Sequence, residues 1–264
     1  MVDLNITQHF RPEETPFLES VEDMCGQAQN EYRPILTDFM NPRELYMFEA
    51  VANRFDSISY QFFGGVKSAE MKRGLIYPDY FEPKESDFQI VAYLIDYPKK
   101  FATLSHGQIL GSIMGSGINR NVVGDIVTDG DDWQFVCERE MSDYLTSQLD
   151  KVGKIKVKIK PLELANLITP VDESEETTTT VASLRIDALI SEGFNISRHH
   201  AKELVEQKLV KLNWAVNERP DTEIRVLDVI SVRGFGRLSI KQIDGLTKKG
   251  KIRVSLDLLK RGKK

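Results

Sequence analysis

The chain has little cysteine and histidine and lacks any long apolar run. Its 264 residues include two cysteines, Cys25 and Cys137, and four histidines, and none of them has metal-ligand or catalytic-triad spacing. No apolar stretch reaches the roughly 18 residues that a membrane span needs, and no segment resembles a signal peptide. We therefore expect a cytoplasmic protein with reduced thiols, no metal, no cofactor and no membrane contact.

Nucleotide-binding motifs are also missing. The phosphate-loop sequence G-x-x-x-x-G-K-[ST] does not occur. The glycine-rich residues 111–117 follow the start of a predicted helix instead of a strand, and Arg120 stands where a dinucleotide fold needs its third glycine. His106, directly after a predicted helix cap at Ser105, is either a general base or an ordinary exposed residue. The sequence predicts a protein that is not an enzyme, although residues scattered along a chain can still assemble into a catalytic site.

Charge is divided unevenly along the chain, whose formal net charge is -5. Residues 181–264 contain 18 Lys and Arg against 10 Asp and Glu, a net charge of +8, whereas the remainder contains 17 against 30, a net charge of -13. An acidic body with a basic C-terminal part predicts one anionic partner bound at one end.

Residues 184–237 predict a helix–turn–helix followed by a small sheet. The apolar positions have helical spacing and are Ile186, Leu189 and Ile190, then Ala201, Leu204 and Val205. Gly193 is the predicted left-handed residue that ends the first helix, and Ser197 is the predicted N-cap of the second. Strand-like alternation begins after Lys208.

Basic residues are concentrated in this segment, close to helix ends whose free amides also suit phosphate. The candidate RNA-binding residues are Arg185, Ser197, Arg198, Lys202, Lys208, Lys211, Arg233 and Arg237. Two alternatives remain: the charges solvate an outer face, or Arg198 is a structural residue tied to a carboxylate such as Asp187.

The pattern R-I-D-x-x-L…G…I-S-R-x-x-A-K-x-L-V…V-x-L-N…D-x-I-S-V-R-G resembles the αL RNA-binding motif, also called the ribosomal protein S-four-type domain. It departs from that motif at Asn213-Trp214, where Asn-Gly is usual, and at Leu227, where glycine is usual. Both changes alter turn chemistry. The resemblance implies binding of structured RNA.

The whole chain predicts an α+β protein of three domains. Residues 1–83 form an N-terminal α+β region, helical from about 13 to 52 with strands after it. Residues 84–168 have the order βαββαβ, which predicts a ferredoxin-like (RRM-like) domain. Residues 169–181 predict a flexible acidic and threonine-rich linker, and residues 182–264 the αL domain with a C-terminal strand hairpin.

The last predicted strand of the middle domain carries four lysines on one face. They are Lys154, Lys156, Lys158 and Lys160. We call these four residues the lysine row. The row either blocks edge-to-edge association of sheets, as lysines on edge strands do, or contacts RNA.

Short motifs along most of the chain resemble the YlmH family of bacterial RNA-binding proteins: T-D-F-M-N-P-R-E from Thr37, F-G-G from Phe63, L-S-H-x-x-x-L-G-x-x-x-G-x-G-I from Leu104, G-D-I from Gly124 and K-V-G-K from Lys151. The resemblance implies a non-enzymatic protein, often encoded beside cell-division genes, and we expect a monomer. It also implies binding to ribosomal RNA and tRNA on large ribosomal subunits that carry peptidyl-tRNA, in quality control of stalled translation. An RNA-modifying enzyme and a cell-division factor with incidental RNA affinity are the alternatives.

Overall fold

A computed structural model describes residues 10–169, 174–248 and 250–260, and the chain divides into two compact units between residues 170 and 171. The α-helices are α1 (Thr15–Glu31), α2 (Pro42–Ala52), α3 (His106–Gly115), α4 (Ser142–Gln148), α5 (Ile186–Phe194) and α6 (Arg198–Glu206). The strands of the first unit are β1 (Ile35–Met40), β2 (Ile58–Phe63), β3 (Lys72–Pro78), β4 (Ile90–Asp96), β5 (Val123–Thr128), β6 (Trp133–Glu138), β7 (Lys151–Val152), β8 (Ile155–Lys156) and β9 (Lys158–Leu162). Those of the second are β10 (Glu175–Val181), β11 (Val210–Leu212), β12 (Ala215–Val216), β13 (Val229–Val232), β14 (Gly236–Leu246) and β15 (Ile252–Lys260). The α+β class predicted from the sequence is confirmed.

The N-terminal part of the first unit is a three-stranded sheet, ordered β1-β3-β2, that packs against α1 and α2. Helix α2 begins after Asn41, whose side chain accepts hydrogen bonds from the backbone amides of Arg43 and Glu44. The prediction of helix from 13 to 52 is wrong for β1. Tyr32 ends α1 in the left-handed conformation, and the next residues pair with β3, a partner that local propensity does not reveal.

The middle part contains a four-stranded antiparallel sheet ordered β5-β6-β4-β9. Numbered within the predicted βαββαβ unit, that order is 2-3-1-4, which is the ferredoxin-like arrangement. Its apolar core includes fully buried side chains from the sheet and from both helices, among them Ile95, Ile109, Phe135 and Leu145. The predicted topology of this part is therefore confirmed.

The predicted lysine-bearing strand is not continuous. Strand β8 pairs with β7 in a separate two-stranded hairpin, whereas β9 pairs with β4 at the edge of the four-stranded sheet. Val157 lies between them, buried, and its amide donates to the carbonyl of Asp150. All four predicted lysines are exposed.

The parts before and after residue 83 belong to one compact unit. Buried Arg73 of β3 donates to the carbonyl of Phe88 at 3.1 Å and lies 3.5 Å from the carboxylate of Glu138 in β6. Burial and the nearby carboxylate of Asp38 raise the pKa of Glu138 to about 7. Buried ionic groups of this kind connect the two sheets.

The second unit is built on a six-stranded antiparallel sheet ordered β10-β15-β14-β13-β11-β12. Helices α5 and α6 cover one face of it. All six apolar helix positions that the sequence singled out are buried in the shared core: Ile186, Leu189, Ile190, Ala201, Leu204 and Val205. The predicted helix faces are confirmed.

The prediction of a flexible linker over residues 169–181 is wrong for residues 175–181. These residues form β10, which pairs with β15 at every position from Glu175 to Val181. Val181 is buried in the core of the second unit. Threonine has a branched side chain that suits strands. Pairing with β15 also supplies backbone hydrogen bonds, which amino-acid composition does not reveal. Residues 170–173 of the predicted linker lie outside the described residues.

Candidate nucleic-acid interface

The sequence predicts the start of α6 correctly but not the end of α5. The Ser197 hydroxyl accepts a hydrogen bond from the His200 amide at 3.1 Å and begins α6, as predicted. The role predicted for Gly193 is wrong: Asn195, with φ 53°, is the left-handed residue that ends α5. Gly193 is helical, and a β-carbon there would lie 2.6 Å from the buried side chain of Leu238.

A carboxylate held between two guanidinium groups lies at the start of this helix pair. Arg185 donates to both oxygens of Asp187, from Nε at 3.1 Å and from Nη2 at 3.0 Å. Arg198 donates to the same two oxygens at 3.3 Å each. The side chain of Asp187 is 4% exposed, against 41% for Arg185 and 50% for Arg198. We call these three residues the arginine clasp.

The clasp gives Arg198 a structural role, which is one of the alternatives that the sequence allows. Burial by itself would raise the pKa of Asp187, but hydrogen bonds from Arg185 and Arg198 hold that pKa below its usual value. Each arginine uses only Nε and Nη2 on the carboxylate, so its Nη1 group remains directed away from Asp187. A half-exposed guanidinium fixed in this way suits a phosphate, because a planar fork can donate to two anions at once.

Three further candidates lie on α6 or next to one of its ends. Lys202 is half-exposed on α6 and lies 3.5 Å from Glu206, one turn later. Lys208, just after α6, adopts φ 61° and pairs with Glu218 at 2.8 Å. Ser197 contributes its hydroxyl to the helix cap, so its position at the helix N-terminus, and not a free hydroxyl, is what it offers to a ligand.

The remaining candidates lie away from the clasp. Lys211 and Arg237 are both in register with Ser231 on neighbouring strands, so they share one cross-strand row. Their strand neighbours Val210 and Leu238 face the helices, so this row is on the opposite face of the sheet. Arg233 is exposed at the turn between β13 and β14. The eight predicted residues therefore do not form one surface. Five lie on or near the two helices, two lie on the opposite face of the sheet, and one lies at the turn between β13 and β14.

Sequence reasoning missed Arg253, an exposed residue on β15 that is in register with Thr180 of β10. It also missed an aromatic contact: the Phe235 ring lies 5.6 Å from Phe194 and 6.0 Å from His200 of α6. Regular strand alternation over residues 252–260 could have indicated Arg253, whereas the aromatic contact depends on the tertiary fold.

Two turns keep backbone conformations that suit glycine, although this sequence lacks the glycine that is usual there in the αL motif. Asn213 and Trp214 both adopt positive φ, 46° and 67°, in the two-residue turn between β11 and β12, as a type I′ turn requires. The Asn213 side chain donates from Nδ2 to Oδ1 of buried Asp228 at 2.9 Å, and its Oδ1 accepts from the backbone amide of Val229. Leu227, with φ 68°, likewise keeps a conformation that suits glycine.

Changing Leu227 to glycine is expected to raise the free energy of unfolding by about 1 kcal/mol. A left-handed conformation costs a non-glycine residue about 1–2 kcal/mol, and the greater freedom of glycine when unfolded offsets part of that gain. Leu227→Ala is the control, because it shortens the side chain but keeps the β-carbon. Urea unfolding measures the difference, and an equal effect of both substitutions would show that the turn is not strained.

Other kinds of site have little support in the structure. Within residues 10–169, 174–248 and 250–260, no group of three or more His, Cys, Asp or Glu is arranged to hold a metal ion. Both cysteines are buried and free, and burial raises the pKa of each thiol to about 12. None of the described helices combines the length and the apolar character needed to cross a bilayer.

Comparison with known proteins agrees with the arrangement of these parts. Residues 13–81 match the family described as "YlmH, N-terminal", residues 83–166 the "Putative RNA-binding domain in YlmH", and residues 184–230 the S4 domain. A relative from Bacillus subtilis (strain 168), named ribosome-associated protein quality control protein P2, is 38% identical over 253 residues, 96% of this chain and 98% of the relative. A solved structure, cell division protein ylmH from Streptococcus pneumoniae, is 32% identical with a TM-score of 0.54, covering 61% of this chain and 98% of its own. The chain therefore belongs to the YlmH family of RNA-binding proteins and carries an S4 domain in its second unit.

Proposed function

We propose that this protein binds structured RNA, both ribosomal RNA and tRNA, on large ribosomal subunits that carry peptidyl-tRNA after translation has stalled. In this proposal it acts as a monomer in the cytoplasm and catalyses no reaction. The second unit makes the principal contact, through the clasp arginines, Lys202 and Lys208, with Lys211, Arg233 and Arg237 as additional phosphate contacts.

The arginine clasp is the observation that carries the proposal. Asp187 orients two guanidinium groups without covering them, since they stay 41% and 50% exposed. The α6 N-terminus begins one residue from Ser197 and adds free backbone amides, which favour a phosphate at the same place. Fixed donors of this kind bind a folded RNA backbone with little loss of side-chain entropy.

The relatives support the choice of partner. The Bacillus subtilis relative is named for association with the ribosome and for protein quality control, and the alignment covers nearly the whole of both chains. An S4 domain and a putative RNA-binding domain in one chain favour RNA over a protein partner.

A salt titration tests the proposal. The full-length protein is mixed with ribosomal RNA extracted from large subunits, and separately with bulk tRNA, at increasing potassium chloride concentrations. Because five to seven cationic side chains would each displace about 0.7–0.9 counterions, the plot of log affinity against log salt should fall with a slope of about 4–6. A flat response would contradict RNA binding by these residues.

Sedimentation distinguishes the proposal from its alternatives. The protein should sediment with large subunits that carry peptidyl-tRNA and less with vacant ones, and treatment with ribonuclease should release it. Continued association after the RNA is digested would favour a protein-interaction role. Loss of a modified nucleoside from cellular RNA when the protein is absent would show that it is an RNA-modifying enzyme.

A further inference from the structure

The hairpin formed by β7 and β8 carries a compact group of lysines on the first unit. Lys151 and Lys156 are direct partners across the hairpin, and Lys154 lies in its two-residue turn, next to Gly153 with φ 60°. All three side chains are exposed. The sequence has no Asp or Glu from residue 151 to residue 162. In the part of the chain that the structure describes, these three lysines form no ion pair.

Edge protection explains only part of the lysine row. Lys158 and Lys160 belong to β9, the edge strand of the four-stranded sheet, where lysine prevents association with another sheet. Lys160 also pairs with Asp96 at 2.6 Å. The hairpin is a separate two-stranded sheet, so its three lysines protect no edge of the larger one.

The hairpin lysines oppose stability instead of adding to it. Side chains of directly opposed residues in an antiparallel pair lie about 4.5–5.5 Å apart, and like charges at that separation are destabilising. Lys151 and Lys156 stand in such a pair. A feature that costs stability and has no structural partner is a candidate for function.

The hairpin is nevertheless held firmly in place. Val152 is fully buried in the core of the middle sheet, and Ile155 packs against that core. The Gly153 amide donates to the Ser112 hydroxyl of α3 at 3.1 Å, and the Val157 amide donates to the Asp150 carbonyl at 2.9 Å. The apolar side of the hairpin is therefore anchored, and the charged side is presented to solvent with a fixed spacing.

We propose that the β7–β8 hairpin is a second RNA-binding surface, in which Lys151, Lys154 and Lys156 bind consecutive phosphates of the same RNA that the second unit binds. This inference rests on the proposed function. Lysine is suited to this task because it acts as a point charge on phosphate without selecting a base. Two basic surfaces on separate units of one chain make the second contact intramolecular, which raises the affinity of both.

The test uses the full-length chain with Lys151, Lys154 and Lys156 all replaced by glutamine. Binding to large-subunit ribosomal RNA should weaken by about 10- to 100-fold near 0.1 M salt, and the salt slope should fall by about 2–3. The melting temperature should stay the same or rise slightly, because repulsion across the hairpin is removed. The matched control replaces Lys84, Lys100 and Arg139 by glutamine. These residues are exposed on the same unit and, like the hairpin lysines, form no ion pair with any residue that the structure describes, so affinity and slope should stay close to those of the unsubstituted protein.

Chemical acetylation of lysines locates the contact independently. Ribosomal RNA should protect the three hairpin lysines, and ribonuclease should restore their reactivity. A hairpin variant that binds as tightly as the unsubstituted protein with the same slope overturns this inference and leaves the proposed function standing. A control variant that loses as much as the hairpin variant also overturns it. Failure of the unsubstituted protein to bind ribosomal RNA or tRNA overturns the proposed function itself.

Discussion

Replacing Arg198 by alanine is expected to weaken the binding of structured RNA by about 5- to 150-fold and to lower the melting temperature of the second unit. The loss of affinity corresponds to about 1–3 kcal/mol for a bidentate phosphate contact. The loss of stability follows from the clasp, because Asp187 is 4% exposed and would keep only one of its two guanidinium partners. RNA titration and thermal melting of the same variant measure the two effects.

Arg33→Ala is a closely matched control. Arg33 is 52% exposed and pairs with the exposed Glu31 carboxylate, so the substitution removes the same charge from an equally exposed arginine of the other unit. It should change neither measurement appreciably. Arg198→Lys should recover only part of the affinity, since an ammonium group cannot contact Asp187 and a phosphate with the geometry of the fork. A lower melting temperature with unchanged RNA affinity would make Arg198 purely structural.

The clasp should also be visible in the dependence of stability on pH. The pKa of Asp187 is lower in the folded protein than its usual value, so the unfolded chain binds this proton more readily. The stabilisation is therefore fully present above the unfolded pKa of about 3.9 and is lost as the pH falls through the lower folded value. Asp187→Asn should abolish this part of the acid sensitivity.

Substituting glycine for Thr177 and Thr179 together is expected to destabilise the second unit by about 2 kcal/mol. These residues face the helices from β10, in register with buried Leu256 and Val254 of β15. Each change replaces a branched side chain by glycine, a loss of about 1 kcal/mol on the strand-propensity scale. Urea unfolding followed by the fluorescence of Trp214, in a Trp133→Phe background, reports on this unit.

The same substitutions at Thr178 and Thr180, which alternate with the first pair, provide the control and should cost less. In the unsubstituted protein, backbone amides of residues 175–181 should exchange with solvent as slowly as those of β15. Equal, negligible effects of both pairs, or rapid exchange over 175–181, would mean that this segment is the linker that its composition suggested.

Short-range patterns were sufficient for much of the architecture. The apolar faces of α5 and α6, the Ser197 cap and the βαββαβ order could all be predicted from the sequence, because helical spacing, strand alternation and capping involve residues within a few positions of one another. The S-four-type motif could be identified for the same reason, as its characteristic residues lie within about fifty positions. The departures at Asn213-Trp214 and Leu227 were also visible, although the left-handed conformations they keep were not.

Contacts between residues distant in the sequence were decided only by the tertiary structure. Strand β10 was not predicted because its partner β15 is distant in the sequence, with 77 positions between the paired residues Thr178 and Ser255. The segment is also polar and has no apolar periodicity that would indicate a strand. The role of Gly193 was predicted wrongly because the side chain that requires a glycine there, Leu238, lies on strand β14, 45 positions later in the chain. The lysine row was divided into an edge strand and a hairpin by backbone pairing that side-chain alternation cannot distinguish. Asp187 likewise became the centre of the clasp only when α5 and α6 packed together, since a charged pair eleven residues apart acquires its geometry from the fold and not from its spacing.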